Sequence, residues 1–307
     1  MKLEILSAES LGVRGLCCRI EAEGRVIVID PGLALGERRH GLPPHPLQIA
    51  LGRAARRRIV TALAGATDVV FSHFHGDHVP LAHANPYQLA ISQLPANFSS
   101  LRAWSLSAEG QTFNSQDRAR DLIALLGASF RVAEGVMDGP LCFSPAMPHG
   151  VGGMPFGDVM LTRVDLGGRV FVHASDIQLL DAATVDFILD WKPDWVLAAG
   201  PPLYHSGLDA RQRGRAWNNA RCLAAEVGTL ILDHHLMRSL EGEIWLDRLS
   251  QQTGRRVYCA ADFMGRPRSL LEAQRRELYA AMPVRPGWHA DYASGSASVE
   301  DFAPRDD

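Results

Sequence analysis

Nowhere in its 307 residues does the chain string together the roughly 18 apolar side chains of a membrane-spanning helix. Its start, Met1-Lys2-Leu3-Glu4-Ile5-Leu6, has neither a long apolar core nor a small-residue cleavage site. Neither a secretory leader nor a membrane anchor is therefore expected, and the cytoplasm is the expected compartment. Cysteine is scarce and odd in number: Cys17, Cys18, Cys142, Cys222 and Cys259, with no C-x-x-C pair. That excludes a disulfide framework and a cysteine-based zinc knuckle, and predicts buried thiols in a reducing compartment. Excess charge is also missing, since 31 basic and 34 acidic side chains leave a net −3. No long-range field gathers a polyanion, so a nucleic acid is not the expected partner, although bulk charge alone does not decide against one. Internal repeats and low-complexity linkers are absent as well.

What is present is a core: 47% of the residues are hydrophobic, ample for a continuous interior at this length. Strand-like runs open the chain at 2–6, 16–22 and 25–29, the last two joined by Glu23-Gly24 as in a hairpin. Val26-Ile27-Val28-Ile29 then stops at the turn-favouring Asp30-Pro31-Gly32. Apolar residues at helical spacing follow through Leu47, Ile49, Leu51, Ile59 and Leu63. Arg53, Arg56, Arg57 and Arg58 on the outer face read as solvated in preference to a phosphate-binding patch. Residues 68–72 read as a short buried strand, while 80–111 show no clear period. Beyond these, helices are expected over 115–126, 179–189, 208–226, 240–249 and 270–282. Strands are expected near 130, at 141–143, on both sides of Asp165-Leu166-Gly167-Gly168, and at 195–199, 229–233 and 256–260. Strands interleaved with helices in both halves predict one α/β (α+β) domain over residues 1–282, with two mixed β-sheets packed face to face and helices outside. The stretch 283–307, rich in Gly, Ser and Asp, is expected to be an extended or partly disordered tail.

The densest chemistry follows the strand at 68–72: His73-Phe74-His75-Gly76-Asp77-His78. On an extended segment, side chains two apart point the same way, so His73 and His75 can share one cation. Asp77 and His78, beyond the turn at Gly76, can address a second position beside it. Imidazoles with a carboxylate are the donors that zinc and similar divalent ions select. A lone histidine is more often a surface or satisfied core residue, which is the reading for His40, His45, His83 and His289. Four donors in six residues at a strand end are not explained that way.

His73-x-His75-x-Asp77-His78 resembles the signature of the metallo-β-lactamase superfamily, and Val28-Ile29-Asp30-Pro31-Gly32 resembles that family's strand ending in aspartate and glycine. The resemblance runs through ordered landmarks over residues 2–260. It implies a four-layer αβ/βα sandwich and two divalent ions, zinc first with iron or manganese as alternatives. The implied ligands are His73, His75, Asp77, His78, His149, Asp176 and His234. His149 is matched in Pro148-His149-Gly150, and Asp176 in Val172-His173-Ala174-Ser175-Asp176, in preference to His173. The last ligand lies in the pair His234-His235; His234, with Arg238 four residues on, resembles the arrangement in ribonuclease Z-like members. Asp30 is expected either to support the metal loop by hydrogen bonds or to serve only as a turn residue. Gly41-Leu42-Pro43-Pro44-His45-Pro46, Gly200-Pro201-Pro202-Leu203-Tyr204 and Asp233-His234-His235-Leu236-Met237-Arg238 resemble most a branch of cytoplasmic metallo-hydrolases of archaea and some bacteria.

On that reading a hydroxide bridging the ions is the nucleophile, and Asp77 orients it or takes its proton. Tyr204 and His205, after the rigid Gly200-Pro201-Pro202 turn, reach over the ions to donate to a developing oxyanion, the plain alternative being a surface loop with an aromatic anchor. Arg238 either binds a substrate phosphate or carboxylate or pairs with Asp233 or Glu241. The expected activity is hydrolysis of a small ester, thioester, lactone or phosphoester, with a nuclease or phosphodiesterase as the alternative. A redox role is opposed by His75, since diiron members of the superfamily carry an acidic residue there. The expected partner is a small molecule and not a membrane; a homo-oligomer is left open.

Overall fold

A strand that is apolar on both faces has to be covered twice, and the central strands here are of that kind. The computed structural model describes residues 3–36, 38–151 and 157–302. One sheet contains β1 (Leu3–Ile5), β2 (Cys18–Ala22), β3 (Arg25–Ile29), β4 (Asp68–Phe71), β5 (Arg102–Ser105) and β6 (Phe130–Val132) in that spatial order. The other runs from β7 (Met137–Asp138) through β8 (Leu141–Pro148), β9 (Asp158–Asp165), β10 (Val170–His173) and β11 (Trp195–Ala198) to β12 (Thr229–Leu232). Each sheet is mixed: antiparallel hairpins come first, then parallel strands joined by crossovers.

The period of 2 assigns side chains to layers. Ile27 and Ile29 of β3, Val70 of β4, Leu197 of β11 and Ile231 of β12 meet between the sheets, together with Phe143 and Phe171. Their neighbours turn outward. Val28, Val69 and Phe71 pack under α1 (Pro46–Ala64) and α2 (Phe113–Leu126). Val172, Val196, Leu230 and Leu232 pack under α3 (Ala182–Asp190), α4 (Ala210–Glu226) and α5 (Leu240–Thr253). The result is the four-layer αβ/βα sandwich. Helix ends follow local chemistry: Pro46 begins α1, Thr112 caps α2, Gly127 ends it at φ 52°, and Asp209 caps α4 with Gln212 closing the box.

Several expectations are corrected. The unassigned stretch 80–111 contains β5 at its end. Residues 256–260 form no strand, only a bridge from Tyr258 to Ile231; the buried Asp233 carboxylate accepts from Ala260 N and the chain turns into α6 (Ala260–Phe263). The helix expected over 270–282 shortens to α7 (Arg275–Ala281). Arg56 is buried instead of solvated, donating to the carbonyls of Pro86 and Gln88, and Cys222 is exposed instead of buried. The described part of the tail, 283–302, is not extended throughout. It forms α8 (Trp288–Ala293), whose Trp288 stacks on Tyr292, which in turn stacks on Tyr87. His289 bridges the hydroxyls of Tyr87 and Tyr279. Of the two outermost expectations, Lys2 and the tail's last residues, 303–307, lie outside the described residues.

Candidate metal centre

The parallel strands aim their C-terminal ends at one edge of the sandwich. β3 delivers Asp30 there, β4 the loop His73 to His78, β10 Ser175 and Asp176, and β12 the pair His234-His235; β8, running with them, delivers His149. Asp30 organises this edge. Its carboxylate accepts from Ser72 N at 2.8 Å, Ser72 Oγ at 2.6 Å, Ser175 Oγ at 2.8 Å and His78 Nδ1 at 2.9 Å. Burial, which raises a carboxyl, is outweighed by His78 and its neighbours, and Asp30 is held down to about 2. Asp30 and Ser175 both adopt positive φ, 50° and 26°, backbone held in place by these bonds. Gly32 lets the metal loop lie against this turn: a Cβ there would stand 2.2 Å from Val79 N.

Because His78 spends Nδ1 on Asp30, its Nε2 faces inward, 3.2 Å from Asp176 Oδ1 and 3.3 Å from His234 Nε2. His73 likewise spends Nδ1 on Ser72 Oγ at 2.9 Å and points Nε2 toward Asp176 Oδ2 at 3.5 Å. His149 Nε2 stands 3.2 Å from the same oxygen, and His75 completes that cluster. On the other side Asp77, His78 and His234 form a second cluster, with His234 Nε2 3.4 Å from Asp77 Oδ2 and 3.6 Å from Asp176 Oδ1. All the sequence-predicted donors are thus brought together, and Asp176 stands between the two halves.

The charge states suit cations. Burial, reinforced by His73 and His149, depresses His75 to about 2, and burial lowers His73 and His234 as well, so these rings offer lone pairs. For Asp176 burial is outweighed by His78, His234 and His235, and for Asp77 by His234, His78 and Arg238; both stay anionic. At His78 burial is outweighed by Asp176 and Asp30, which raise it well above its ordinary value. His73 Nε2 and Asp176 Oδ1 are buried without a well-aligned hydrogen bond. Buried polar atoms left so, among the lowered imidazoles of His73, His75 and His234 and two anionic carboxylates, fit divalent ions.

The pair at 234–235 departs from expectation. β12 ends at Leu232, and the Asp233 carbonyl accepts from Leu236 and Met237, so both histidines sit in a turn. His235 also reaches the site, its Nε2 3.3 Å from Asp176 Oδ2. Arg238 pairs with neither Asp233 nor Glu241. Asp233 is held by Ser10 and Ala260, and Glu241 by Arg213. Arg238 Nε instead donates to Glu9 at 2.7 Å and Nη2 to Asp77 at 3.2 Å. His173 is a core residue, bonded to the Leu16 carbonyl.

A cavity of about 270 Å³ opens onto His75, Asp77, His149 and Asp176. Tyr204 lies on its wall, its hydroxyl 3.2 Å from Arg238 Nη1 and its ring 4.6 Å from the Arg39 guanidinium. His205, exposed at the rim, accepts from Gly207 N within its own loop. Sequence reasoning missed Arg14, Gln178 and Gln212 on the same wall, none of which carries a local signal, and held His235 there as the alternative to His234.

Two facing sheets between helical layers, with a histidine–aspartate cluster at one edge, make this a metallo-β-lactamase-fold protein. The isothiocyanate hydrolase from Delia radicum gut bacteria is similar over 84% of this chain and 95% of its own, with a TM-score of 0.51 and 16% identity. The metallo-β-lactamase fold protein YhfI from Bacillus subtilis matches over 84% and 95%, with a TM-score of 0.49 and 11% identity. No protein-family model matches the chain. A UPF0282 protein of Methanosarcina mazei is 46% identical over 302 residues, 98% of this chain and 99% of the relative. One from Thermococcus gammatolerans is 33% identical over 302 residues, 91% and 95% of the two chains. The chain belongs to the UPF0282 family.

Proposed function

We propose that the protein hydrolyses a small ester, thioester, lactone or phosphoester with two divalent ions, zinc first and iron or manganese as alternatives. The carrying observation is Asp176, whose Oδ2 faces His73 and His149, with His75 in that cluster, and whose Oδ1 faces His78 and His234, the partners of Asp77. The first three histidines would hold one ion and Asp77, His78 and His234 the other, with Asp176 shared. When bound, such ions supply Lewis acidity and a water whose pKa falls to about 7. The chain's own residues do the rest. Asp77 stays anionic beside the cavity, placed to orient that water and accept its proton. Tyr204 holds a hydroxyl at the cavity wall, where it can donate to the oxygen on which charge develops, and His205 closes the rim.

The cavity's size suits a small substrate, with apolar Leu180, Pro202 and Leu208 and polar Gln178 and Gln212 in its lining. A phosphodiesterase or nuclease reading draws on Arg14 and Arg238 in the same wall; the confined volume and balanced charge favour the small molecule. Among the described residues no helix is long and apolar enough to cross a membrane, and a cytoplasmic setting is part of the proposal. The test is elemental analysis of reconstituted protein with a screen of phosphodiester, thioester and lactone substrates. Close to two ions per chain and turnover of one class are expected; one ion at most overturns the two-ion reading. Asp77→Ala is expected to weaken the second ion and abolish hydrolysis while the far-ultraviolet circular dichroism stays native. A grossly unfolded variant would show Asp77 to be structural.

A further inference from the structure

Arg238 stands at the donors the second ion needs. Its Nη2 lies 2.6 Å from His234 Nε2 and 3.2 Å from Asp77 Oδ2, two of the three donors of that cluster. A guanidinium nitrogen has no lone pair to give a cation; at 2.6 Å from His234 Nε2 and 3.2 Å from its Nδ1, Nη2 lies against the imidazole ring, beside the nitrogen a cation would take. An ion held through His234 Nε2 at about 2.1 Å would therefore lie within about 5 Å of Nη2, two like charges on one donor. The rest of the side chain is tied elsewhere, through Nε to the buried Glu9 carboxylate at 2.7 Å and through Nη1 to the Tyr204 hydroxyl at 3.2 Å. Because the guanidinium is planar and rigid, Nη2 withdraws from His234 by a turn that gives up the longer anchor, at Tyr204, while the Glu9 bond holds. The first cluster shows the opposite condition at His73, whose buried Nε2 has no hydrogen-bond partner to displace.

We propose that Arg238 and the second ion compete for His234, so that the two ions bind in order: the first tightly at His73, His75, His149 and Asp176, the second only as Nη2 withdraws. This rests on the two-ion reading above. Because the guanidinium already lines the cavity, its withdrawal presents a cation to the substrate and not to the ion.

The test is a Co²⁺ titration of metal-free wild type, Arg238→Met, Arg238→Gln and Arg238→Lys, followed by calorimetry and visible absorption, with circular dichroism as the check on folding. Wild type is expected to bind in two steps at least tenfold apart in Kd. Arg238→Met, which keeps the stem without the charge, is expected to tighten the second step at least tenfold and leave the first unchanged. Arg238→Gln serves the same purpose if the methionine variant fails to fold. Arg238→Lys keeps a positive charge and is expected to retain the weak second step. Equal affinities in wild type, or a second step no tighter in both neutral variants, overturn the proposal. Absence of the first step in wild type would overturn the two-ion reading together with it.

Discussion

Asp30 accepts four hydrogen bonds from both sides of the candidate metal edge, and in doing so decides which nitrogen of His78 faces Asp176 and His234. Its sequence context left two roles open, turn residue and support of the loop; it fills both, since the positive φ that makes the turn is what turns the carboxylate back under Ser72. Asp30→Asn retains the size but replaces an acceptor oxygen with a donor. It is expected to weaken metal binding by about 10- to 100-fold, read by competition with a chromogenic chelator. Unchanged affinity would reduce Asp30 to a folding role. The histidine cluster at 73–78 was legible because its geometry is set by neighbours in the chain. Glu9, Arg14 and Gln178 were not, because each comes alone from a distant segment; the Arg238–Glu9 bond spans 229 residues.

Among the elements, the strands were read best, because alternation and short apolar runs reflect burial on both faces. Their ends were read less well. One residue fewer in β12 moves His234 and His235 from a strand, where only one would face the site, into a turn where both do. The C-terminal segment was read from its composition alone. Its Gly, Ser and Asp content suggests fraying, yet Trp288 is only 6% exposed and packs against the first helical layer. Spaced aromatics outweigh polar composition when a surface exists to receive them. Trp288→Ala is expected to cost about 3–5 kcal/mol in urea unfolding. A loss below about 1 kcal/mol, within the range of surface substitutions, would show that α8 rests on the domain without stabilising it.

Across the whole molecule, Asp68 and Arg25 connect the sheets. The buried Asp68 carboxylate takes hydrogen bonds from Arg25, Thr67, Trp104 and Arg102, binding β3, β4 and β5, while Arg25 also pairs with Asp138 in the second sheet. Burial, which raises this carboxyl, is outweighed by those donors, and it is held at about 2 against an ordinary 3.8. A carboxyl lowered on folding stabilises fully above its unfolded value and loses that contribution as it is protonated. Stability is therefore expected to fall between about pH 4 and pH 2. Asp68→Asn is expected to lose about 3–5 kcal/mol at neutral pH and to flatten that acid limb in denaturant titrations; an unchanged limb would assign it to other carboxylates. By itself the sequence determined the layers, because burial on both faces writes itself into a period of 2, and it determined the first half of the metal edge, because six consecutive residues fix their own spacing. Only the tertiary structure decided the rest: which neighbours share Asp176, that His235 also approaches, that Arg238 turns to Glu9 and Asp77, and what lines the cavity. Those contacts join residues from different strands and loops, and their distances depend on how two sheets pack, which no local pattern records.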